Sequence, residues 1–334
     1  MLDFYGTLGP RCADVTTLRA MLDAGMTGVR LNLSHITLPE AAEEIEALHT
    51  AASQSGVKAR LLIDMQGPEL RIGALDRPLT LCECETVTLG AGGIPIPVIA
   101  LPCLVPGAQL LLDDGKLLLE VRAADSESVK AEVIRGGTLT GRKSLAIPGA
   151  ELHPPTLTEA DAANIAMAKD YGVTGVMQPF VRDRADLEAV RAALDKAGGK
   201  EIRLFAKIEN REGVRNLDEL IDACDEIVIA RGDLGNAVPL WELPRVQKEI
   251  AAKCREKGRA FMVVTQMLAS MEHTAVPTRA EVSDIFNAVL DGASSVMLTG
   301  ETAVGDYPVE AMRYLVNTAG EAARYMEKHI ILSS

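Results

Sequence analysis

Short apolar segments alternate along the chain with longer segments in which apolar residues recur at helical spacing. Residues 2–8, 27–34 and 58–65 are apolar runs of strand length, and helical patterns that end at Gly25 and Gly56 follow the first two. A glycine directly after the last periodic residue is a common helix end. Alternation of strands and helices of this kind predicts a parallel sheet.

The alternation stops between about residues 72 and 145, where no convincing helical pattern occurs. The segments there alternate apolar and polar residues and carry turn signals such as Asp-Asp-Gly-Lys at 113–116. This pattern predicts an all-β insertion, expected to be a small barrel. Five further strand–helix units follow, so that three strands precede the insertion and five follow it.

Eight strand–helix units predict an α/β fold of the (β/α)₈, or TIM-barrel, type. We therefore expect a catalytic barrel formed by residues 1–72 and 146–334. A small β-barrel lid domain, residues 73–145, is expected to be inserted after strand three.

Composition and charge exclude several classes of protein. The 334 residues carry a net charge of −13, and the chain lacks the basic footprint of a nucleic-acid-binding protein. We therefore expect no nucleic-acid partner. No apolar stretch reaches the length of about 18 residues that a membrane-spanning helix needs, and the amino terminus lacks the pattern of a signal peptide. A cytoplasmic protein with no membrane partner is expected.

The six cysteines are scattered, which fits a reducing compartment. Cys82 and Cys84 form the one close pair. A zinc site there is disfavoured because the pair has no second cysteine pair and no nearby histidine.

Lys207 and Glu209 interrupt an apolar run that has the length of a strand. Alternation along a strand directs both side chains to the same face. In (β/α)₈ barrels the active site lies at the carboxyl ends of the strands. The alternative is a buried ion pair with no chemical role. Other polar residues end or follow the predicted strands: Arg30, Asn32, Ser34, Asp64, Asp233, Thr265 and Glu301.

The residue types at this rim indicate a class of chemistry. Glu209 and Asp233 are hard oxygen ligands suited to Mg²⁺ or Mn²⁺, which bind one or two carboxylates and complete their shell with substrate and water. Arg30 and Lys207 supply positive charge for a phosphoryl group, and backbone N–H groups of the loop at 231–235 can hold a carboxylate. The residues alone predict metal-dependent phosphoryl or enolate chemistry on a small acid.

Nine stretches of the chain resemble the pyruvate kinase family, and together they run from about residue 5 to residue 328. They are TLGP at 7–10, LDAGMTGVRLNLSH at 22–35, DMQGPELR at 64–71, DDG at 113–115, AKIENREGVRNLDEL at 206–220, IVIARGDLG at 227–235, TQMLASM at 265–271, PTRAEVSD at 277–284, and the segment 287–308. The resemblance implies a (β/α)₈ domain with a β-barrel lid after strand three. It also implies transfer of the phosphoryl group of phosphoenolpyruvate to ADP, giving pyruvate and ATP.

The resemblance assigns roles around the substrate. Glu209 and Asp233 would hold Mg²⁺, and Lys207 would stabilise the transferring phosphoryl group and the enolate. Arg30 would bind the phosphoryl group, and Thr265 would lie beside the methylene carbon. The remaining substrate-binding residues are Gly232 and Asp233, through their backbone N–H groups, and Phe180. The K⁺ ligands would be Asn32, Ser34, Asp64 and the carbonyl of Met65.

The nucleotide would be bound by residues of the barrel and of the lid: Pro10, His35, Arg71, Asp114 and Lys143. Simpler interpretations remain open for some of these residues. Asn32 and Ser34 could cap the next turn, His35 could be an ordinary strand-end histidine, and Lys143 could be a solvated charge.

Several departures from the family pattern matter for function. Pro179 replaces a usual serine close to the substrate pocket, whereas Glu69 is the residue of K⁺-dependent members. Relatives continue with a carboxyl-terminal effector domain that this sequence lacks, so fructose bisphosphate is expected neither to bind nor to activate. Val282 and Phe286 replace small residues on a helix that lies at the subunit interface in relatives. We therefore expect a homodimer.

Two other functions remain possible from the sequence. One is a metal-dependent lyase or aldolase that acts through a pyruvate enolate. The other is a catalytically weak, regulatory binder of the same ligands, which Pro179 and the missing domain would suggest.

Overall fold

The computed structural model describes residues 2–34, 36–113, 115–150 and 152–330 of the chain. The strands of these residues, in chain order, are β1 (Asp3–Thr7), β2 (Gly28–Asn32), β3 (Arg60–Asp64), β4 (Leu79–Leu81), β5 (Thr86–Gly90), β6 (Gln109–Leu112), β7 (Leu117–Ala124), β8 (Ser128–Arg135), β9 (Gly137–Leu139), β10 (Leu145–Ala146), β11 (Gly175–Gln178), β12 (Arg203–Ile208), β13 (Glu226–Ala230), β14 (Ala260–Val264) and β15 (Ser295–Met297).

The α-helices of the same residues are α1 (Val15–Asp23), α2 (Ala42–Ser55), α3 (Glu159–Met167), α4 (Arg184–Lys196), α5 (Arg211–Arg215), α6 (Leu217–Ala223), α7 (Arg231–Ala237), α8 (Leu243–Glu256), α9 (Arg279–Leu290), α10 (Gly300–Ala303) and α11 (Pro308–Ile330). Short 3₁₀ helices cover Val98–Cys103 and Ala269–Glu272. No helix in these ranges combines the length and the apolar character that crossing a membrane requires.

Eight parallel strands close into a barrel in the order β1-β15-β14-β13-β12-β11-β3-β2. Among the described residues, three of these strands precede the insertion and five follow it, as the alternation predicted. Helix caps help to delimit the units: the side chain of Thr158, the N-cap of α3, accepts a hydrogen bond from the Asp161 N–H in a reciprocal capping box. The (β/α)₈ fold expected from the sequence is confirmed.

The barrel interior is filled by side chains from every second position of the strands. They are Tyr5, Leu62, Met177, Phe205, Val228, Ala230, Met262, Val264 and Met297, and each is at most 4% exposed. Asp64 on β3 lies two residues after Leu62, and Lys207 near the end of β12 lies two residues after Phe205, so both occupy the same alternate positions. The interior is therefore apolar in its middle and becomes charged towards the carboxyl ends of the strands.

The chain divides into two compact units. The first comprises residues 1–67, 156–234 and 241–334, and the second comprises residues 68–155 and 235–240. In the second unit, β10-β6-β7-β8-β5 form a five-stranded antiparallel sheet and β4-β9 form a two-stranded one. Buried residues of both sheets, including Leu81, Leu110, Leu119 and Leu139, share one apolar core. The predicted lid, residues 73–145, lies within this unit.

Helix α5 ends at Arg215 and does not continue into α6, because Asn216 has non-helical backbone angles and its side chain donates to the Arg182 carbonyl at 2.9 Å. Residues 231–235 were expected to form a loop, and that prediction was wrong. Helix α7 instead begins directly at Arg231.

Candidate active site

Charged side chains from β2, β3 and β12 meet at the carboxyl end of the barrel interior. The register of β2 against β3 brings two of these side chains together. Asn32 of β2 pairs with Asp64 of β3, and Arg30 lies two residues before Asn32. On β12, Lys207 follows Phe205 at the interior parity, and Glu209 comes one residue after the strand ends. The sequence prediction that these residues gather at one rim agrees with this arrangement.

Asp64 is the centre of an ion-pair network at this rim. Its Oδ2 lies 2.7 Å from Nη2 and 2.8 Å from Nε of Arg30. Lys207 Nζ lies 3.2 and 3.1 Å from the two Asp64 oxygens and 2.9 Å from Glu209 Oε1. The Asp64 and Glu209 side chains are at most 3% exposed, so these contacts are shielded from water.

Burial and charge act in opposite directions on these groups. Burial alone would raise the pKa of Asp64, but the positive charges of Lys207 and Arg30 outweigh it and hold that pKa below its usual value. Burial alone would lower the pKa of Lys207, but the carboxylates of Asp64 and Glu209 outweigh it and raise that pKa. Asp64 and Lys207 therefore both favour their charged forms near neutral pH.

The backbone at Phe180 holds the Glu209 carboxylate. The Phe180 N–H donates to Glu209 Oε2 at 2.8 Å, and Phe180 has a φ of +52°, which is uncommon for a residue other than glycine. Pro179, which precedes it, packs over Gly67: a Cβ on Gly67 would lie 2.4 Å from Pro179 Cγ. The proline that departs from the family pattern is thus accommodated by a glycine three residues after the end of β3.

Gly232 and Asp233 lie in the first turn of α7, directly after β13. The Asp233 carboxylate is close enough to Lys207 to favour its charged form. A Cβ on Gly232 would lie 3.1 Å from Thr265 Cγ2 and 3.7 Å from Thr265 Oγ1. The predicted substrate-binding turn and the predicted catalytic threonine are therefore neighbours.

The residues predicted to bind K⁺ follow β2 and β3. The Ser34 N–H donates to Asn32 Oδ1 at 3.2 Å, which is the local cap-like contact that the simpler interpretation expected. Met65 is buried, and its N–H donates to the Met177 carbonyl at 3.1 Å.

The predicted nucleotide residues are spread over both units. Pro10 is an exposed turn residue after β1. Arg71 and Lys143 belong to the second unit, where Arg71 Nη2 lies 2.6 Å from Glu69 Oε2 and Lys143 Nζ lies 2.7 Å from Asp113 Oδ1. His35 and Asp114 lie outside the described residues.

The rim fits a hard divalent cation that also binds substrate. Within the ranges that the structure describes, no group of three or more His, Cys, Asp or Glu side chains could enclose a metal ion. Glu209 and Asp233 supply two carboxylates, and each Glu209 oxygen keeps a lone pair beyond its contact with Phe180 or Lys207. Mg²⁺ often takes one or two carboxylates with water and substrate oxygens, so this donor set is sufficient for it.

Sequence reasoning missed two features of the rim. The first is the hydrogen bond from the Phe180 N–H to Glu209, which accompanies the left-handed backbone at Phe180. The second is Arg231, whose guanidinium contacts the Thr265 carbonyl at 3.1 and 2.8 Å. Its position directly after β13, among the other polar residues that end or follow strands, is a signal that could have drawn attention to it.

Comparison with known proteins gives one consistent family. The family model described as "Pyruvate kinase, barrel domain" matches residues 3–312. The chain is 37% identical over 338 residues to a pyruvate kinase of Geobacillus stearothermophilus and 36% identical over 346 residues to one of Bacillus licheniformis. Each alignment covers 98% of this chain and 58% of the relative.

A pyruvate kinase of Mycobacterium tuberculosis (strain ATCC 25618 / H37Rv) is 37% identical over 316 residues, covering 92% of this chain and 67% of the relative. The chain thus spans a little over half the length of the first two relatives.

Proposed function

Because the chain belongs to the pyruvate kinase family, we propose that it transfers the phosphoryl group of phosphoenolpyruvate to ADP, giving pyruvate and ATP. The observation that carries the proposal is the buried position of Lys207 between Asp64 and Glu209, at the carboxyl ends of the barrel strands. A structural ion pair needs one partner for the lysine, whereas this ammonium has two carboxylate partners and Asp64 also binds Arg30.

The charge at the rim supports binding of an anionic substrate together with cations. Arg30 and Lys207 oppose the carboxylates of Asp64, Glu209 and Asp233, so the group carries one net negative charge. Phosphoenolpyruvate is itself strongly anionic, and a divalent cation would reverse the sign of the site. We propose Mg²⁺, or Mn²⁺, on Glu209 and Asp233, where the ion would neutralise charge that develops during the transfer.

We propose that Arg30 and Lys207 bind the phosphoryl group directly. Both side chains are largely buried and already fixed by Asp64 at hydrogen-bond distances. Preorganised cations of this kind stabilise charge in phosphoryl transfer without reorganising during the reaction. The N–H groups of Gly232 and Asp233 would bind the substrate carboxylate, and Phe180 would border the substrate.

Protonation of the enolate completes the proposed reaction. Once the phosphoryl group has moved to ADP, the methylene carbon of the enolate takes a proton from the solvent and pyruvate forms. Thr265, whose side chain packs against Gly232, is the proposed residue beside that carbon. Lys207 would hold the enolate oxygen with its ammonium group while the proton is transferred.

Further parts of the proposal rest on the family resemblance. Asn32, Ser34, Asp64 and the Met65 carbonyl would bind K⁺. Pro10, His35, Arg71, Asp114 and Lys143 would contact ADP or ATP.

The cellular location and the assembly are also proposals. All six cysteines are free thiols, which fits the proposed cytoplasmic location. For the proposed homodimer the support is weaker than expected, because Phe286 of α9 packs edge-to-face against Tyr325 of α11 with ring centroids 5.8 Å apart. Sedimentation analysis that finds only monomer at micromolar concentration would overturn the homodimer.

An assay of the purified chain with phosphoenolpyruvate, ADP, Mg²⁺ and K⁺ tests the proposed function. Pyruvate is measured through lactate dehydrogenase, and ATP is measured separately. We expect both products in equal amounts and dependence of pyruvate formation on ADP.

Other outcomes would identify the alternatives. Cleavage or condensation of pyruvate-containing acids without phosphoryl transfer would indicate a lyase or aldolase. Saturable binding of phosphoenolpyruvate with no turnover would indicate a regulatory binder. Either result would contradict the proposal.

A further inference from the structure

The backbone of Thr265 and Gln266 is unusual in a way that the proposed reaction does not by itself explain. Their φ angles are +79° and +56°, so two consecutive residues other than glycine occupy the left-handed region directly after β14. Thr265 is β-branched, and such residues are rarely found there. Backbone of this kind persists only where the surrounding contacts over-determine it.

The side chain of Arg231 supplies such a contact. Its Nε and Nη2 both donate to the Thr265 carbonyl oxygen, at 3.1 and 2.8 Å, and Nη2 also lies 3.0 Å from Met267 Sδ. The side chain is 10% exposed, so water competes little for these hydrogen bonds. A guanidinium group can make this two-pronged contact, whereas a lysine ammonium cannot reproduce its fixed geometry.

The guanidinium is anchored on its other side by α9. Arg231 Nη1 lies 2.6 Å from Asp284 Oδ2. Arg231 is also the first residue of α7, immediately before Gly232, against which the Thr265 side chain packs. One side chain therefore ties the start of the predicted substrate-binding turn to the backbone of the predicted catalytic threonine.

We propose that Arg231 is a positioning residue that, with Asp284 as its anchor, holds the left-handed backbone at Thr265 and so fixes the Thr265 side chain beside the substrate. This inference rests on the proposed function for its catalytic consequence. The structural half, that Arg231 fixes residues 265–267, is independent of any activity.

Substitution of Arg231 by methionine tests the catalytic consequence. A displacement of about 1 Å in a reacting group can cost on the order of 10²-fold in rate. We expect Arg231→Met to lower kcat by roughly this factor while the KM for phosphoenolpyruvate changes little. Arg231→Lys should resemble Arg231→Met. Asp284→Asn, which keeps the guanidinium but loosens its anchor, should cause a smaller fall and carries the test if Arg231→Met does not fold.

Arg191→Met is a matched control. Arg191 also joins a backbone carbonyl and a carboxylate, donating to the Ile202 carbonyl at 2.9 Å and to Asp225 at 2.8 Å. It belongs to α4, away from the rim residues described above. We expect its loss to leave kcat unchanged.

A double-mutant cycle distinguishes positioning of Thr265 from general support of the fold. Arg231→Met is compared in the wild-type background and in Thr265→Ala. If Arg231 acts through Thr265, its effect on kcat should largely vanish once the Thr265 hydroxyl is absent. An equal loss in both backgrounds, or a wild-type kcat for Arg231→Met, would overturn the proposal.

Hydrogen–deuterium exchange of the peptide covering residues 265–271 gives a readout independent of catalysis. Arg231→Met should speed exchange there, and Arg191→Met should not. Unchanged exchange in Arg231→Met would refute the structural half. If the wild-type protein makes no pyruvate, the proposed function fails, and the exchange experiment still decides whether Arg231 holds this segment.

Discussion

Replacing Lys207 by methionine removes the charge at the centre of the proposed site and keeps a side chain of similar length. Lys207 makes three contacts of 2.9–3.2 Å with Asp64 and Glu209, and its side chain is 13% exposed. The substitution therefore creates little empty volume. It leaves two buried carboxylates with fewer partners.

The structure sets the expected size of two separate effects. Breaking a buried ion pair by removing one partner costs about 3–5 kcal/mol of unfolding free energy. The lower end is expected, because Asp64 keeps Arg30 and Glu209 keeps the Phe180 N–H. For catalysis, the loss of one preorganised charge lowers the rate by on the order of 10²–10³-fold. The variant should therefore fold and be almost inactive.

Both quantities are measurable on the same preparations. Urea denaturation gives the free energy of unfolding, and the coupled pyruvate assay at saturating phosphoenolpyruvate, ADP, Mg²⁺ and K⁺ gives kcat. Lys253→Met is the control, because Lys253 pairs with Asp218 at 2.7 Å and the two side chains are 41% and 61% exposed. An exposed pair contributes about 0–1 kcal/mol, so this variant should remain active.

A Lys207→Met protein that folds and keeps kcat within about tenfold of wild type would refute the assignment, because one preorganised charge should contribute more than that. Equal loss of activity in Lys253→Met would show that the assay responds to general destabilisation rather than to the rim charge.

Three further predictions concern other groups. Burial raises the pKa of the Glu226 carboxyl despite its contacts with Ser295 and Arg203. Ionisation of this buried carboxyl therefore lowers the stability of the folded protein as pH rises from the unfolded pKa of about 4.3 through the folded pKa. Glu226→Gln should therefore gain stability relative to wild type between pH 4 and pH 7 in urea denaturation, and a relative loss over that range would contradict the prediction. Burial raises the pKa of the Cys254 thiol to about 12, so it should react with a thiol reagent far more slowly than exposed Cys82, as peptide mapping can check. K⁺ should activate pyruvate formation and Na⁺ should do so poorly, and equal rates with only a bulky organic cation present would count against the proposed K⁺ site.

The barrel was predictable because each strand carries its own signal. The interior positions repeat every second residue, and the units are separated by helix caps and glycines that act locally. Lys207 and Glu209 were found by the same rule, because they are two charged residues at alternate positions of an apolar run, where apolar residues are expected. Local signals of this kind survive in a single sequence.

Contacts between distant strands were not predictable in the same way. That Asp64 serves both Arg30 and Lys207 depends on the register of β2 against β3 and on the closure of the barrel. Nothing near Asp64 in the sequence indicates a lysine 143 positions away. The sequence could name the rim residues but not how they pair.

The backbone conformation of single residues could not be predicted from the sequence either. Phe180 and Thr265 adopt left-handed backbone angles. Phenylalanine and threonine disfavour these angles, so the residue types predict a different backbone conformation. In each case a long-range contact accompanies the conformation: the Glu209 carboxylate for Phe180 and the Arg231 guanidinium for Thr265. Residues at functional sites are where local rules are expected to fail.

Phosphorus NMR of the purified wild-type chain with phosphoenolpyruvate, ADP, Mg²⁺ and K⁺ tests the central claim most directly. The account predicts that the phosphoenolpyruvate resonance falls as the γ-phosphate resonance of ATP rises by the same amount, and that Lys207→Met shows neither change on the same timescale. Phosphoenolpyruvate that persists unchanged, or that yields inorganic phosphate without ATP, would contradict it.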